Sequence, residues 1–148
     1  MLKGLNPLLN ADILYALRAM GHGDDLIVAD TNFPAHSLAA QTTLGEVLRI
    51  DRPAAEAMAA VLSVFPIDTF EPAAAARMEV VGEPDTLLPV MEEVQQEIHA
   101  VGGPDLVGLE RFAFYDRAKS AFAILQSDER RFYGCFALCK GVVSPEET

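Results

Sequence analysis

The run Leu26-Ile27-Val28-Ala29 is the feature that most restricts the fold. Four consecutive apolar residues with no polar alternation read as a strand covered on both faces, the pattern of strands sandwiched between helices. The flanking sequence supplies such helices. Asn10 is an N-cap candidate for a helix from Ala11 to Met20, whose Ile13, Leu14, Leu17 and Met20 fall at helical spacing, with Gly21 as the stop. The same alternation continues. Val47–Ile50 reads as a strand, and Pro53 opens a helix over Ala54–Val64. Met78–Val81 reads as a strand, and Pro89 opens a helix to about Val101 that Gly102-Gly103-Pro104 ends. Val107–Leu109 is a short strand and Phe112–Lys119 a helix. Ala121–Leu125 and Phe132–Cys139 are the last strands, parted by the turn Ser127–Arg130. Thr31–Ser37 reads as loop, Ala73–Ala76 as a helical turn or loop, and the tail from Ser144 as loose.

Alternating helices and strands imply an α/β layered domain. A chain of 148 residues that is 51% hydrophobic fits one such domain over residues 1–148. Its net charge of −11 argues against nucleic acid, because a duplex binder needs a basic footprint to displace counterions. An anionic membrane surface would repel it as well. No stretch approaches the ~20 apolar residues that span a bilayer, and the N-terminal segment lacks a signal-peptide pattern. Cys135 and Cys139, if on one strand, sit on one face about 13 Å apart, beyond disulfide reach. Two unpaired thiols point to a reducing, cytoplasmic setting.

His22 lies in Gly21-His22-Gly23-Asp24. An imidazole between glycines is uncrowded and suits general acid–base work near neutral pH; it equally suits the negative end of a helix dipole. Asp30 follows the first strand, where open α/β sheets gather ligands. A carboxylate there can accept sugar hydroxyls or cap the loop. His36 reads as bonded to loop backbone and His99 as a surface residue. Arg111 stands at a strand-to-helix junction, to hold a ligand oxygen or a local carboxylate. Tyr133 and Gly134 open the last strand, where the ring can stack on a sugar or fill core. Glu92-Glu93 and Glu129 with Arg130-Arg131 read as solvated charge. The histidines and cysteines lack ligand spacing, so no metal is expected. No phosphate loop, dinucleotide fingerprint or nucleophile elbow is present.

Three stretches resemble the fucose mutarotase and ribose pyranase family (RbsD/FucU). They are Met20-Gly21-His22-Gly23-Asp24 through Asp30 to Phe33-Pro34-Ala35-His36-Ser37, then Arg111-Phe112-Ala113-Phe114-Tyr115 with Arg117-Ala118, and Tyr133-Gly134 with Lys140-Gly141-Val142. The resemblance runs from Leu2 to Val143 and is looser from Thr42 to Pro104. It implies a three-layer α/β/α fold, a ring-like homo-oligomer such as a decamer, and an enzyme that interconverts the α and β anomers of a free monosaccharide, L-fucose, without cofactor. By position it implies His22 as the catalytic acid, and Asp30, Arg111, Tyr133, Gly134 and Cys135 as sugar-binding residues. The family usually has Asn where this chain has Cys135. A thiol is a weak hydrogen-bonding group, so a sugar hydroxyl there would lose about 1 kcal/mol. A non-catalytic monosaccharide-binding or transport-accessory protein would need Asp30, Arg111 and Tyr133 but not His22 as an acid.

His22 and Asp30 flank one strand, which rises ~3.3 Å per residue. For both to serve one site, either the glycine turn folds His22 back or a neighbouring subunit completes the site.

Overall fold

The computed structural model describes residues 1–148. Six strands form one sheet: β1 Asp25–Ala29, β2 Val47–Ile50, β3 Ala75–Met78, β4 Val107–Leu109, β5 Ala123–Ser127 and β6 Phe136–Cys139. Five helices connect them: α1 Ala11–Ala19, α2 Ala35–Ala39, α3 Ala54–Leu62, α4 Pro89–Ala100 and α5 Arg111–Lys119. The sheet order is β2-β5-β1-β6-β3-β4. β6 runs antiparallel to both neighbours, and every other pairing is parallel. The start of β6 therefore lies beside the carboxyl ends of β1 and β3.

Strand periodicity divides the core into two layers. Leu26, Val28, Leu48, Ala75, Leu125, Phe136 and Leu138 face one way, against Ile13 and Leu17 of α1, Met58 and Val61 of α3, and Val94 and Ile98 of α4. Ile27, Ala29, Ala76, Ile124 and Ala137 face the other, against Leu38 of α2 and Phe114 and Ala118 of α5. Helices cover both faces, giving the three-layer α/β/α arrangement and explaining the uninterrupted apolar run of β1. The α1 start is as read: the Asn10 side chain accepts from the Ile13 N–H at 2.9 Å. No helix is long and apolar enough to cross a membrane.

Several elements differ from the sequence reading. Thr31–Ser37 is not all loop, because α2 begins at Ala35; burial of Ala35, Leu38 and Ala39 outweighs the weak propensity of so short a helix. β3 lies three residues earlier than Met78–Val81. Ala75 and Ala76 are small enough to pack between the two helical layers. Val80 instead closes a turn on Glu83, with Gly82 at φ 79°, and leaves Val81 exposed. β5 extends to Ser127 because its polar end is bonded inward: Ser127 Oγ donates to the Ala29 carbonyl at 2.9 Å and Gln126 Nε2 to the Asp30 carbonyl at 3.3 Å. β6 starts at Phe136 rather than Phe132, since Tyr133 takes a left-handed backbone (φ 62°) incompatible with a strand. The tail closes as a 3-10 turn at Pro145–Glu147. Glu129 is not solvated charge but 3% exposed.

Candidate functional site

The carboxyl ends of β1 and β3, the exit of β4 and the entry to β6 enclose a cleft of about 260 Å³. Its lining includes Asp30, Arg111, Tyr133 and Cys135 together with Asn32, Phe33, Met78, Val81, Tyr115 and Phe132. This is the edge where parallel sheets gather ligands, because loops diverge there. The volume lies just below the usual range of small-molecule sites, ~300–1,000 Å³, and suits a compact ligand.

Asp30 is the best-anchored group of the cleft. Oδ1 accepts from the Asn32 and Phe33 N–H groups at 3.0 and 2.9 Å, and Oδ2 accepts from Gly134 N–H at 3.1 Å. A carboxylate has about four acceptor directions. Three are taken by backbone, so one carboxylate direction remains for a ligand hydroxyl. Gly134 does not line the cleft; it holds the carboxylate. A Cβ at Gly134 would stand 2.7 Å from Glu129 Cγ and 3.3 Å from Asp30 Cβ, so only glycine allows the backbone this close.

Arg111 begins α5 and is held from one side by its own helix. Its Nε donates to the Tyr115 hydroxyl at 3.2 Å, and its guanidinium lies 5.6 and 5.4 Å from the Phe112 and Tyr115 ring centroids. The bond to Tyr115 raises the Arg111 pKa further above its ordinary value. The remaining N–H groups form a planar donor fork at the cleft. Tyr133 accepts from Val81 N–H at 3.2 Å, tying the turn after β3 to the cleft. A bulky residue at positive φ is strained by roughly 1–2 kcal/mol, and such strain gathers where a side chain must be aimed. Cys135 is 2% exposed at the cleft floor. Burial first, then the Asp30 charge, pushes its thiol well above the usual range.

The turn before Tyr133 is locked from beneath. Arg131 Nε donates to Glu129 Oε1 at 2.9 Å, and its Nη atoms pair with Glu93 at 2.9 and 2.7 Å. Glu129 Oε2 also accepts from Ala54 N–H at the start of α3. The Arg131 bond outweighs burial and draws the Glu129 carboxyl from 4.5 to about 2.

His22 lies elsewhere. It precedes β1, whereas Asp30 follows it. Five strand residues separate the two ends by about 17 Å. The glycine turn does not fold His22 back: Gly23 N–H donates to the Lys140 carbonyl beyond β6, and Gly21 N–H to Asp24 Oδ2. His22 Nε2 bonds Asp68 Oδ1 at 3.0 Å, and its half-exposed ring meets Phe70 edge-on at 5.8 Å. Burial pushes the Asp68 carboxyl up, but bonds from Glu71 N–H, His22 and Phe70 N–H outweigh it and hold the carboxyl below its ordinary range. A carboxylate fixed this way orients the imidazole and selects its tautomer. His22 borders a second hollow with Leu17, Met20, Val64 and Lys140, whose Nζ donates to the Leu17 and Met20 carbonyls at the end of α1. His36 is exposed on α2. His99, half-exposed, bonds Asp105. Neither lines the cleft.

Asp68 escapes a sequence reading, because its contact with His22 spans 46 residues with no local pattern. The sequence pattern reads Met78 and Val81 as parts of one strand, which hides their place at the cleft. Tyr115 was accessible, since i and i+4 places it beside Arg111 on a helix.

The model of the RbsD / FucU transport protein family matches residues 3–143. A protein of Danio rerio named fucose mutarotase is 39% identical, over 99% of this chain and 97% of its own length. The crystal structure of protein Atu2016, described as a candidate sugar-binding protein, is 57% identical with a TM-score of 0.94 over 97% of each chain. The crystal structure of the fucose mutarotase from Streptococcus pneumoniae in complex with L-fucose is 31% identical, with a TM-score of 0.86 over 97% of this chain and all of that one.

Proposed function

The chain belongs to the RbsD / FucU transport protein family, and from that membership we propose that it is an L-fucose mutarotase, an isomerase acting as one unit over residues 1–148. The observation that carries the reading is Asp30. Its backbone-anchored carboxylate keeps an acceptor free beside the Arg111 fork and Tyr133, an arrangement suited to a small polyol.

Mutarotation opens the hemiacetal and recloses it on the other face. The anomeric hydroxyl loses its proton, the ring C–O bond breaks, and the ring oxygen gains a proton. Re-addition to the other face of the aldehyde reverses these transfers, so no cofactor or metal is required. His22 delivers the proton to the ring oxygen, and solvent water takes the proton that the anomeric hydroxyl releases. Asp30 accepts from sugar hydroxyls, Arg111 donates to them, and Tyr133 orients the ring. General acid–base help of this kind is worth about 10²–10⁴-fold.

Because His22 and Asp30 stand at opposite ends of β1, the site is completed by a second copy. The His22–Asp68 pair of one subunit meets the Asp30 cleft of its neighbour in a cytoplasmic homo-oligomer. Exposed Phe70 beside His22, and exposed Phe132, Val81 and Phe112 around the cleft, are the apolar surface such a contact would cover.

The test is anomeric exchange of L-fucose by NMR saturation transfer at neutral pH, with D-ribose in parallel. L-Fucose exchange is accelerated above that of D-ribose, and His22→Ala removes most of it while the folded assembly remains. A second reading, a monosaccharide-binding protein without catalysis, draws on the absence of any histidine from the cleft lining. Sugar binding without faster exchange would favour it, whereas full activity in His22→Ala would remove His22 as the acid.

A further inference from the structure

Most of the cleft offers a ligand either a polar atom or access to water. Asp30, Asn32, Arg111 and Tyr133 supply polar atoms, and the apolar rim residues Phe132 and Val81 are 74% and 63% exposed. One stretch of wall does neither. Cys135, Met78 and Phe33 are 2%, 5% and 6% exposed and belong to the core layer under α2 and α5. They reach the cleft from three different segments: the approach to β6, the end of β3 and the loop after β1. The thiol beside the Asp30 carboxylate stays protonated and is a weak hydrogen-bonding group. A hydroxyl placed against this wall would leave water without a comparable partner, whereas a methyl would gain by burial.

We propose, resting on the mutarotase reading above, that Cys135 with Met78 and Phe33 forms the specificity-determining wall that receives the exocyclic methyl of a 6-deoxyhexose. A sugar held at its ring hydroxyls by Asp30 and Arg111 has one apolar substituent to bury, and this is the one buried apolar wall beside those two groups. The cleft therefore selects against the same sugar carrying a hydroxymethyl group, and against the pentose that lacks the carbon altogether.

Anomeric exchange measured with L-fucose, L-galactose and D-arabinose separates these terms, since the three share ring configuration and differ only beyond C5. The wild-type protein favours L-fucose over L-galactose by about 10- to 100-fold and over D-arabinose by about tenfold or more, the range one hydroxyl or one methyl commands in an apolar pocket. Cys135→Ser replaces the thiol by a hydroxyl, and Met78→Gln brings an amide to the same wall. Each narrows the L-fucose to L-galactose ratio at least threefold, whereas Cys135→Val preserves it. Circular dichroism establishes which variants fold, and the wild-type ratios stand whatever the variants do. L-Galactose exchanged as fast as L-fucose by the wild type, or a ratio unchanged in a folded Cys135→Ser or Met78→Gln protein, overturns the assignment. Exchange of none of the three sugars would instead mean that the mutarotase reading fails.

Discussion

Replacing Glu129 with Gln tests how the cleft is held from beneath. The carboxylate is 4% exposed, bonded to Arg131 through both oxygens and to Ala54 N–H, and its carbonyl accepts from Thr31 N–H beside Asp30. Its pKa falls from 4.5 to about 2 on folding. At about 1.4 kcal/mol per pH unit, ionised Glu129 stabilises the fold by about 3 kcal/mol. The sign follows from the depression. The contribution is complete above the unfolded value of 4.5 and disappears as pH falls through the folded value near 2. Gln mimics the protonated acid, so wild type and Glu129→Gln are compared by urea unfolding at fixed protein concentration across the pH range. The wild type is more stable by about 3 kcal/mol at pH 7 and by about 1 kcal/mol at pH 3, and the difference vanishes below pH 2. A difference that does not change between pH 7 and 3, or that is below about 0.5 kcal/mol at pH 7, refutes the role given to this carboxylate.

Gly134→Ala forces a Cβ to within 2.7 Å of Glu129 Cγ and 3.3 Å of Asp30 Cβ. Overpacking there lowers unfolding free energy by about 1–3 kcal/mol, measured in urea, and weakens sugar binding by titration calorimetry. Arg111→Lys gives up the planar fork and its stacking on Phe112 and Tyr115, so KM for L-fucose rises about tenfold with little change in melting temperature. Tyr133→Phe removes the hydroxyl that anchors Val81 N–H at a cost of about 1 kcal/mol; slower exchange at saturating sugar is the expected readout.

The fold was legible where periodicity and burial coincide. The apolar β1 run demanded cover on both faces, and α4 starts at Pro89 as its sequence pattern says. Errors fell where tertiary context overrides local signals. Ala75 and Ala76 look like poor strand residues, but their small size lets two helical layers close over the sheet. Tyr133 looks like the start of a strand, but it is held at positive φ by contacts with Val81 and by the Gly134–Asp30 bond. Asp30, Arg111, Tyr133 and Cys135 were legible as candidates, and folding brings them to one sheet edge. The separation of His22 from them was visible only as a length of strand. Its partner Asp68 was not visible, because no local pattern encodes a contact across 46 residues.

In the proposed mechanism, two ends of one strand serve one reaction across two copies of the chain. His22→Ala and Asp30→Asn proteins, each inactive alone, are unfolded together, refolded as a mixture, and assayed for L-fucose exchange. A head-to-tail contact between copies pairs an intact Asp30 cleft with an intact His22 at about a quarter of the sites, so about a quarter of wild-type activity returns. Mixed assemblies that form but stay inactive would contradict a site shared between subunits.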